Sequence, residues 1–464
     1  MEKTSEFDVV IIGAGPGGYV AGIRASQLGL RACVIEKNKP GGVCLNEGCI
    51  PTKSLVHQAG LFRTKAALED MGIAVDTGGF DYSRVFQKSR KAAEALSQGV
   101  EFLFRKNRVQ LVRGTARIAA DNRVALDNGS FITGRNIIIA TGSRPKELPG
   151  FPFDEKTVLT STGAIFLTEL PKKLMIIGAG AIGCEFASIM NTFGVEVILV
   201  ELLDRILPME DAETVAVLAR AFRRSGIVTM TGARAVSMNR GQDGVAVTVE
   251  TQGNPPETMT VDKILIVTGR TPSTDGIGLE TIGLATVKGF IPVGDYCRTT
   301  VPGVYAIGDV ISTPLLAHVA MREGEIAVEH IAGLNPERSV NPEAVPSAVF
   351  TDPQIAGFGL TEEAARNRGV GYGKAVFPYR GAGKSVADEN PDGLVKVITD
   401  TVSGKILGAH IAGADATELI HELLLARTAG LTPGDVIRTI HAHPTLSELA
   451  GEVMRAVEGR AIHA

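Results

Sequence analysis

Cys44 and Cys49 stand with four residues between them in the run GGVCLNEGCIPTK (Gly41 to Lys53), shortly after a glycine-rich stretch that begins at Gly13. A dithiol passes two electrons by thiol–disulfide exchange, and a flavin beside it relays them onward as hydride. A spaced cysteine pair next to a dinucleotide loop therefore reads as a redox disulfide. Metal-binding pairs usually leave two residues between the cysteines, and no second pair follows, so no metal site is expected. Residues five apart on a regular helix differ by about 7.5 Å in rise alone, whereas a disulfide wants its Cα atoms roughly 4.4–6.8 Å apart. If the segment is helical, its first turn must be distorted, and Gly48 and Pro51 permit that. A strained, accessible disulfide is the kind that cycles.

Two similar segments must position this pair. In FDVVIIGAGPGGYVAGIRASQLGLRACVIEK, a buried strand (Val9 to Ile12) meets Gly13, Gly15 and Gly18. A helix follows, then a second strand ending at Glu36. In KKLMIIGAGAIGCEFASIMNTFGVEVILVEL, the strand Leu174 to Ile177 meets Gly178, Gly180 and Gly183, and the second strand ends at Glu201. The first glycine allows the tight turn, the second lets backbone approach a pyrophosphate, and the third lets helix pack on strand. The acid about 20 residues on binds a ribose hydroxyl pair. Two such units mean two dinucleotides. Glu201 would repel a 2′-phosphate, which makes the second nucleotide NAD; Arg205 lies nearby, and Asp204 beside it offsets its charge. IIIATGSRP, with Thr141 and Gly142, and ILIVTGRTP, with Gly269, are each a buried strand ending in a Thr-Gly turn that closes its unit. GVYAIGDV (Gly303 to Val310) is a further buried strand. Past Asn341 the texture changes to antiparallel strands, such as GLVKVITD and GKILGAHIAG, with helical runs after them.

The 464 residues suffice for roughly three domains. A formal net charge of −4 gives no hint of nucleic acid or an anionic membrane as partner. Five cysteines are too few for a secreted disulfide framework. The N-terminus reads as neither signal nor transit peptide, and no apolar run approaches the roughly 18 residues of a membrane helix. A cytoplasmic location is expected.

The cysteine pair, both glycine loops, ATGSRP, AIGDV and the C-terminal HAHPTLSE together resemble the pyridine nucleotide–disulfide oxidoreductases along essentially the whole chain. Within that family the resemblance is to members that oxidise dihydrolipoyl groups and reduce NAD⁺. It implies an α/β fold of two Rossmann-like dinucleotide-binding domains, the NAD domain inserted in the FAD domain, plus a C-terminal α+β dimerisation domain. The expected spans are 1–147 and 272–342 for the FAD/central part, 148–271 for the NAD domain and 343–464 for the dimerisation domain. It implies FAD in the first unit, NAD in the second and a homodimer. Cys44 is then the thiol that exchanges with substrate and Cys49 the thiolate against the flavin. Lys53 approaches the flavin, and Glu185, also counted with Gly178, Gly180, Gly183, Glu201 and Gly269 among the NAD-binding residues, pairs with it. Asp309 binds the ribityl chain, Ala317 lies near the ring, and Gly114 and Ala116 touch the adenine side. His443 and Glu448 form the acid–base pair; His441 is expected to pack or hydrogen-bond locally. The lipoyl group arrives on an acyltransferase or carrier protein of a multienzyme complex, since no lipoyl-lysine domain precedes the first strand. Glutathione reductase-like members use NADPH and should carry basic residues where Glu201 stands. Mercuric reductase-like members need a further cysteine pair, and no cysteine follows Cys297. Gln354 and the stretch Arg380 to Glu389 depart from the family pattern.

Overall fold

The computed structural model describes residues 5–120, 122–242 and 244–463. The apolar run after Glu6 forms the strand Ser5–Ile12, which pairs in parallel with Ala32–Glu36 on one side and Phe131–Ile139 on the other. All five residues of Ala32–Glu36 are buried, as expected of a strand covered on both faces. Gln110–Arg113 extends one edge; Arg123–Leu126 and Ala116–Ile118 extend the other in antiparallel fashion.

The chain then leaves this sheet and builds a second. Its parallel order is Val228–Met230, Glu196–Val200, Lys173–Ile177, Lys263–Ile266 and Val158–Leu159. A three-stranded antiparallel sheet, Ala233–Gly241, Gly244–Thr251 and Glu257–Val261, covers one face. The chain returns when Val304–Ala306 pairs in parallel with Phe131–Ile139 of the first sheet. The outgoing and returning strands, Ser143–Pro145 and Arg270–Pro272, pair with each other as a two-stranded ribbon. The second unit is thus an insertion in the first, hung from that ribbon.

The return also delivers the helix Ala317–Ile331 onto the helix Pro16–Gln27. The contact is close because it is made by glycines. A Cβ on Gly17 would lie 2.8 Å from the Ala320 carbonyl oxygen, and one on Gly324 would lie 2.7 Å from that of Gly17. The last unit is an antiparallel sheet ordered Ser347–Val349, Gln354–Gly359, Ile406–Gly413, Leu394–Asp400 and Tyr372–Pro378. The helices Ala416–Thr428 and Glu448–Val457 pack on it. Val349, Ile355 and Ala412 of this sheet share a core with Phe186, Met190 and Phe222 of the second unit, which joins the two.

Candidate active site

Each glycine loop is built by contact geometry that the two copies share. Gly13 and Gly178 both sit at φ 105, where a side chain is strained, and a Cβ would meet the carbonyl oxygens of Ala140 at 2.3 Å and Val267 at 2.6 Å. A Cβ on Gly18 or Gly183 would lie 1.9 Å from the carbonyl oxygen of Gly13 or Gly178, so only glycine lets the helix seat on its turn. Gly15 and Gly180 differ: a Cβ there meets nothing within 4 Å. Their open side faces the starts of the helices Pro16–Gln27 and Ala181–Thr192, and neither start has a side-chain cap. Uncapped first-turn N–H groups beside an open glycine suit a phosphate. Glu36 accepts from the Ala14 amide at 2.7 Å and the Asn38 amide at 2.8 Å. Glu201 accepts from Ala179 at 2.7 Å and Leu203 at 2.9 Å. Each carboxylate is aimed by backbone and retains acceptor capacity for a ribose hydroxyl. The residues present therefore fit two dinucleotides.

The cysteine segment is drawn against the first loop by another glycine approach. Gly41 donates to the Ala14 carbonyl at 2.7 Å, and a Cβ on Gly42 would lie 2.7 Å from the Gly15 Cα. The segment is helical over Gly42–Glu47, breaks at Gly48 (φ −144°, ψ −113°) and resumes as Cys49–Asp70. The distortion expected within one helix is thus a break between two, with Cys44 inside the first and Cys49 opening the second. Thr52 secures the break by donating its hydroxyl to the Gly48 carbonyl at 2.7 Å. Both cysteines are thiols here. They are unequal. The hydrogen bond from Cys44, with help from the Lys53 ammonium, pulls Cys49 down to about 7 against the opposing effects of burial and Glu185. The same hydrogen bond, burial and the charge of Cys49 push Cys44 up. In the dithiol, Cys49 carries the charge and Cys44 the proton.

Lys53 lies one turn on from Cys49 and reaches both oxygens of Glu185, at 2.9 and 3.0 Å. Glu185 is buried and also accepts from the Phe350 amide at 2.9 Å, while the Lys53 ammonium sits 4.5 Å from the centre of the Phe350 ring. Phe350 belongs to the last unit and was not singled out in the sequence; only its place between two strands hinted at a junction. Asp309 accepts from the Ser143 hydroxyl and lies 3.7 Å from the Arg270 guanidinium. Arg270 in turn donates to the Ser143 hydroxyl at 2.6 Å and carbonyl at 2.8 Å. Ser143 and Arg270, also missed, follow the two Thr-Gly turns, and the likeness of those motifs was their signal. Buried Glu323 accepts from the Gly308 amide at 2.7 Å beside Asp309, and burial pushes its carboxyl up to about 7.

The remaining candidates line these turns. Gly114 sits at φ 153 next to Asp127, whose carboxylate accepts from Thr115 at 2.9 Å, and Ala116 is buried in the following strand. Thr141 donates to the Ser273 carbonyl at 2.7 Å and Gly142, at φ 72, accepts from the Ser273 amide at 2.8 Å. Gly269 turns at φ 132 into the ribbon, and Ala317 opens its helix. His443 lies on the last unit, 77% exposed, with Nδ1 3.0 Å from Glu448. Glu448 also accepts from the Thr445 amide at 2.9 Å, and the two bonds hold its carboxyl below the usual range. His441 is instead paired with Glu422 at 2.7 Å and largely buried. Among the described residues, no hydrogen bond or ion pair joins His443 or Glu448 to either cysteine within the one chain.

Known proteins place this arrangement. Residues 7–324 match the family "Pyridine nucleotide-disulphide oxidoreductase" and residues 345–454 its dimerisation domain. The chain is 40% identical to a dihydrolipoyl dehydrogenase of Bacillus subtilis, covering 99% of each. It is 42% identical to that of Chlorobaculum tepidum, covering 97% of this chain and 96% of the relative. In three dimensions it is similar to LpdA of Mycobacterium tuberculosis, with a TM-score of 0.90 at 26% identity, covering 97% of this chain and 99% of that one. The flavoprotein disulfide reductase RclA of Escherichia coli gives 0.86 at 27% identity, covering 97% and 99%. The chain belongs to the pyridine nucleotide-disulphide oxidoreductase family.

Proposed function

We propose that the protein oxidises protein-bound dihydrolipoyl groups to lipoyl groups and reduces NAD⁺ to NADH. The observation that carries this reading is the cysteine pair seated against the first glycine loop, with the carboxylate of Glu201 aimed by backbone at the second. A substrate thiolate attacks the Cys44 sulfur of the Cys44–Cys49 disulfide and Cys49 leaves as the stabilised thiolate. The second substrate thiol then attacks the mixed disulfide, closing the lipoyl ring and releasing Cys44. His443, oriented by Glu448, takes the protons from the substrate thiols. FAD and NAD⁺, when bound, supply the two-electron hydride chemistry that returns the dithiol to the disulfide. The first loop, with Gly13, Gly15, Gly18 and Glu36, would hold FAD with Gly114, Ala116, Thr141, Gly142, Asp309 and Ala317. Lys53, partnered by Glu185, would supply a cation to the flavin when it is bound. Gly178, Gly180, Gly183, Glu201 and Gly269 would hold NAD.

The domain spans supporting this are 1–147 with 272–342 for FAD, 148–271 for NAD and 343–464 for the dimer interface. The homodimer receives its substrate from a lipoyl-bearing acyltransferase or carrier protein of a multienzyme complex. Among the described residues no helix is long and apolar enough to cross a membrane; the location we propose is the cytoplasm. The test is to assay NAD⁺ reduction with dihydrolipoamide beside NADPH oxidation with oxidised glutathione. The first should be rapid and the second negligible; the reverse would sink the reading.

A further inference from the structure

A charged residue beside the second glycine loop is held by the last unit, outside the nucleotide-binding unit. After Glu201 the chain folds back on the second glycine loop. Ala179 donates to Glu201 at 2.7 Å, and its carbonyl accepts from the Leu207 amide at 2.8 Å. Arg205 lies on the turn between these anchors, four residues past the carboxylate that would meet the ribose. A guanidinium binds a phosphate in bidentate fashion when it is free to do so. The structure pairs this one elsewhere. Arg205 Nη2 is 2.8 Å from Glu363 of the last unit and 3.2 Å from the Pro208 carbonyl.

Glu363 is held in place by the joint it belongs to. It lies in the first turn of the helix Glu362–Asn367, which Thr361 caps by accepting from the Ala364 amide. Its neighbour Glu362 receives Lys396 at 2.8 Å and Lys374 at 2.9 Å. Lys396, 1% exposed, also meets Asp211 and Glu213 of the second unit, each at 3.0 Å. The ion-pair network thus fixes the helix bearing Glu363 against the nucleotide unit.

We propose that Glu363 is a positioning residue for coenzyme selectivity, holding Arg205 away from the ribose 2′ position. The proposal rests on the NAD reading above. Because the Arg205–Glu363 pair is partly exposed, at 29% and 55%, freeing the arginine should change NADP⁺ binding by roughly fivefold rather than by orders of magnitude.

The experiment measures NAD⁺ and NADP⁺ affinity, and the KM and kcat for each, on the FAD-loaded dimer. E201A removes the repelling carboxylate, and E201A/E363Q is compared with it. The expected result is NADP⁺ binding roughly fivefold tighter in the double variant, in KM rather than kcat, with NAD⁺ affinity unchanged. The gain should vanish on adding R205M, weaken at high salt and be absent from E201A/E363D, which can keep the pair. No gain, or an equal shift for both coenzymes as a loosened joint would give, overturns the proposal. If the unsubstituted protein binds NADP⁺ as well as NAD⁺, the coenzyme reading itself falls, and no variant is needed to see it.

Discussion

The charge on the cysteine pair is set by three neighbours whose effects have opposite signs. Cys49 lies near 7 because Cys44 donates to it and Lys53 is close, while Glu185 works the other way. In the reduced protein, the thiolate absorbance should therefore persist down to about pH 7 and be lost below it, as Cys49 takes up its proton. Cys49→Ser should remove that transition, and Cys44→Ala should move it up, since the donated hydrogen bond is the largest cause. Lys53→Met should raise the midpoint and Glu185→Gln should lower it. A midpoint indifferent to both would show that the pair does not act on Cys49. Stability should respond asymmetrically as well. Lys53→Met leaves a buried carboxylate with only the Phe350 amide, at a cost of about 3 kcal/mol, whereas Glu185→Gln keeps an oxygen that accepts from both Lys53 and the Phe350 amide, loses only the second Lys53 bond and should cost about 1 kcal/mol. Chemical denaturation reads both.

At the scale of elements, the glycine loops separate packing from ligand approach. A methyl group on Gly18 would collide with the Gly13 carbonyl, and the helix Pro16–Gln27 would have to lift off its turn. A methyl group on Gly15 meets nothing in the protein. Gly15→Ala should therefore fold with a nearly unchanged Tm yet retain little flavin after gel filtration. Gly18→Ala should lose both flavin and several degrees of Tm. The second loop repeats the geometry, so Gly183→Ala should weaken NAD⁺ binding while flavin stays in place. Equal behaviour of Gly15→Ala and Gly18→Ala would mean that loop packing, not access, decides cofactor retention. The break at Gly48 belongs to this scale too. It lets one short helix carry Cys44 and the next begin at Cys49, which an uninterrupted helix could not arrange.

The whole molecule adds two things that no single element contains. The first is the joint around Lys396, where a lysine buried to 1% exposure meets Asp211, itself 2% exposed, across two units. Lys396→Met strands that aspartate and should lower stability by about 3–5 kcal/mol, seen as a fall in Tm. The double change Lys396→Met with Asp211→Asn should recover part of it; no recovery would mean that the pair is not the source of the loss. The second is the dimer. His443 and Glu448 sit on the unit matched by the dimerisation domain and, among the described residues, make no hydrogen bond or ion pair with the cysteines of their own chain. If His443 serves the partner's disulfide, Cys49→Ser and His443→Gln are each nearly inactive, but a mixed dimer holds one intact site. Random exchange makes about half the dimers mixed, so roughly a quarter of sites should regain activity. Persistent inactivity in mixed dimers verified by differential tags would place His443 in its own chain's site or in none.

What the sequence by itself determined is what local geometry dictates. A strand that must turn into a helix around a phosphate needs glycines at set intervals, and Gly13 to Gly18 and Gly178 to Gly183 meet that need within six residues each. The cysteine spacing, the acids at Glu36 and Glu201 and the α/β architecture follow from the same short-range rules. His443 and Glu448, five residues apart, are also close enough in sequence for their pairing to be a local matter. Taken alone, Glu185 reads as an ordinary helical acid, and only the family resemblance matched it to Lys53, 132 positions away. Local sequence could mark Phe350, Ser143 and Arg270 only as sites after a strand or a turn; it did not pair Phe350 with Glu185 and Lys53, Arg270 with Ser143 and Asp309, or Glu363 with Arg205. Those hydrogen bonds and ion pairs join residues 39 to 166 positions apart. Sequence periodicity tells which face of an element is buried, not which distant side chain will face it. Only the packing of the inserted unit, its ribbon and the last sheet brought those charges within reach of one another.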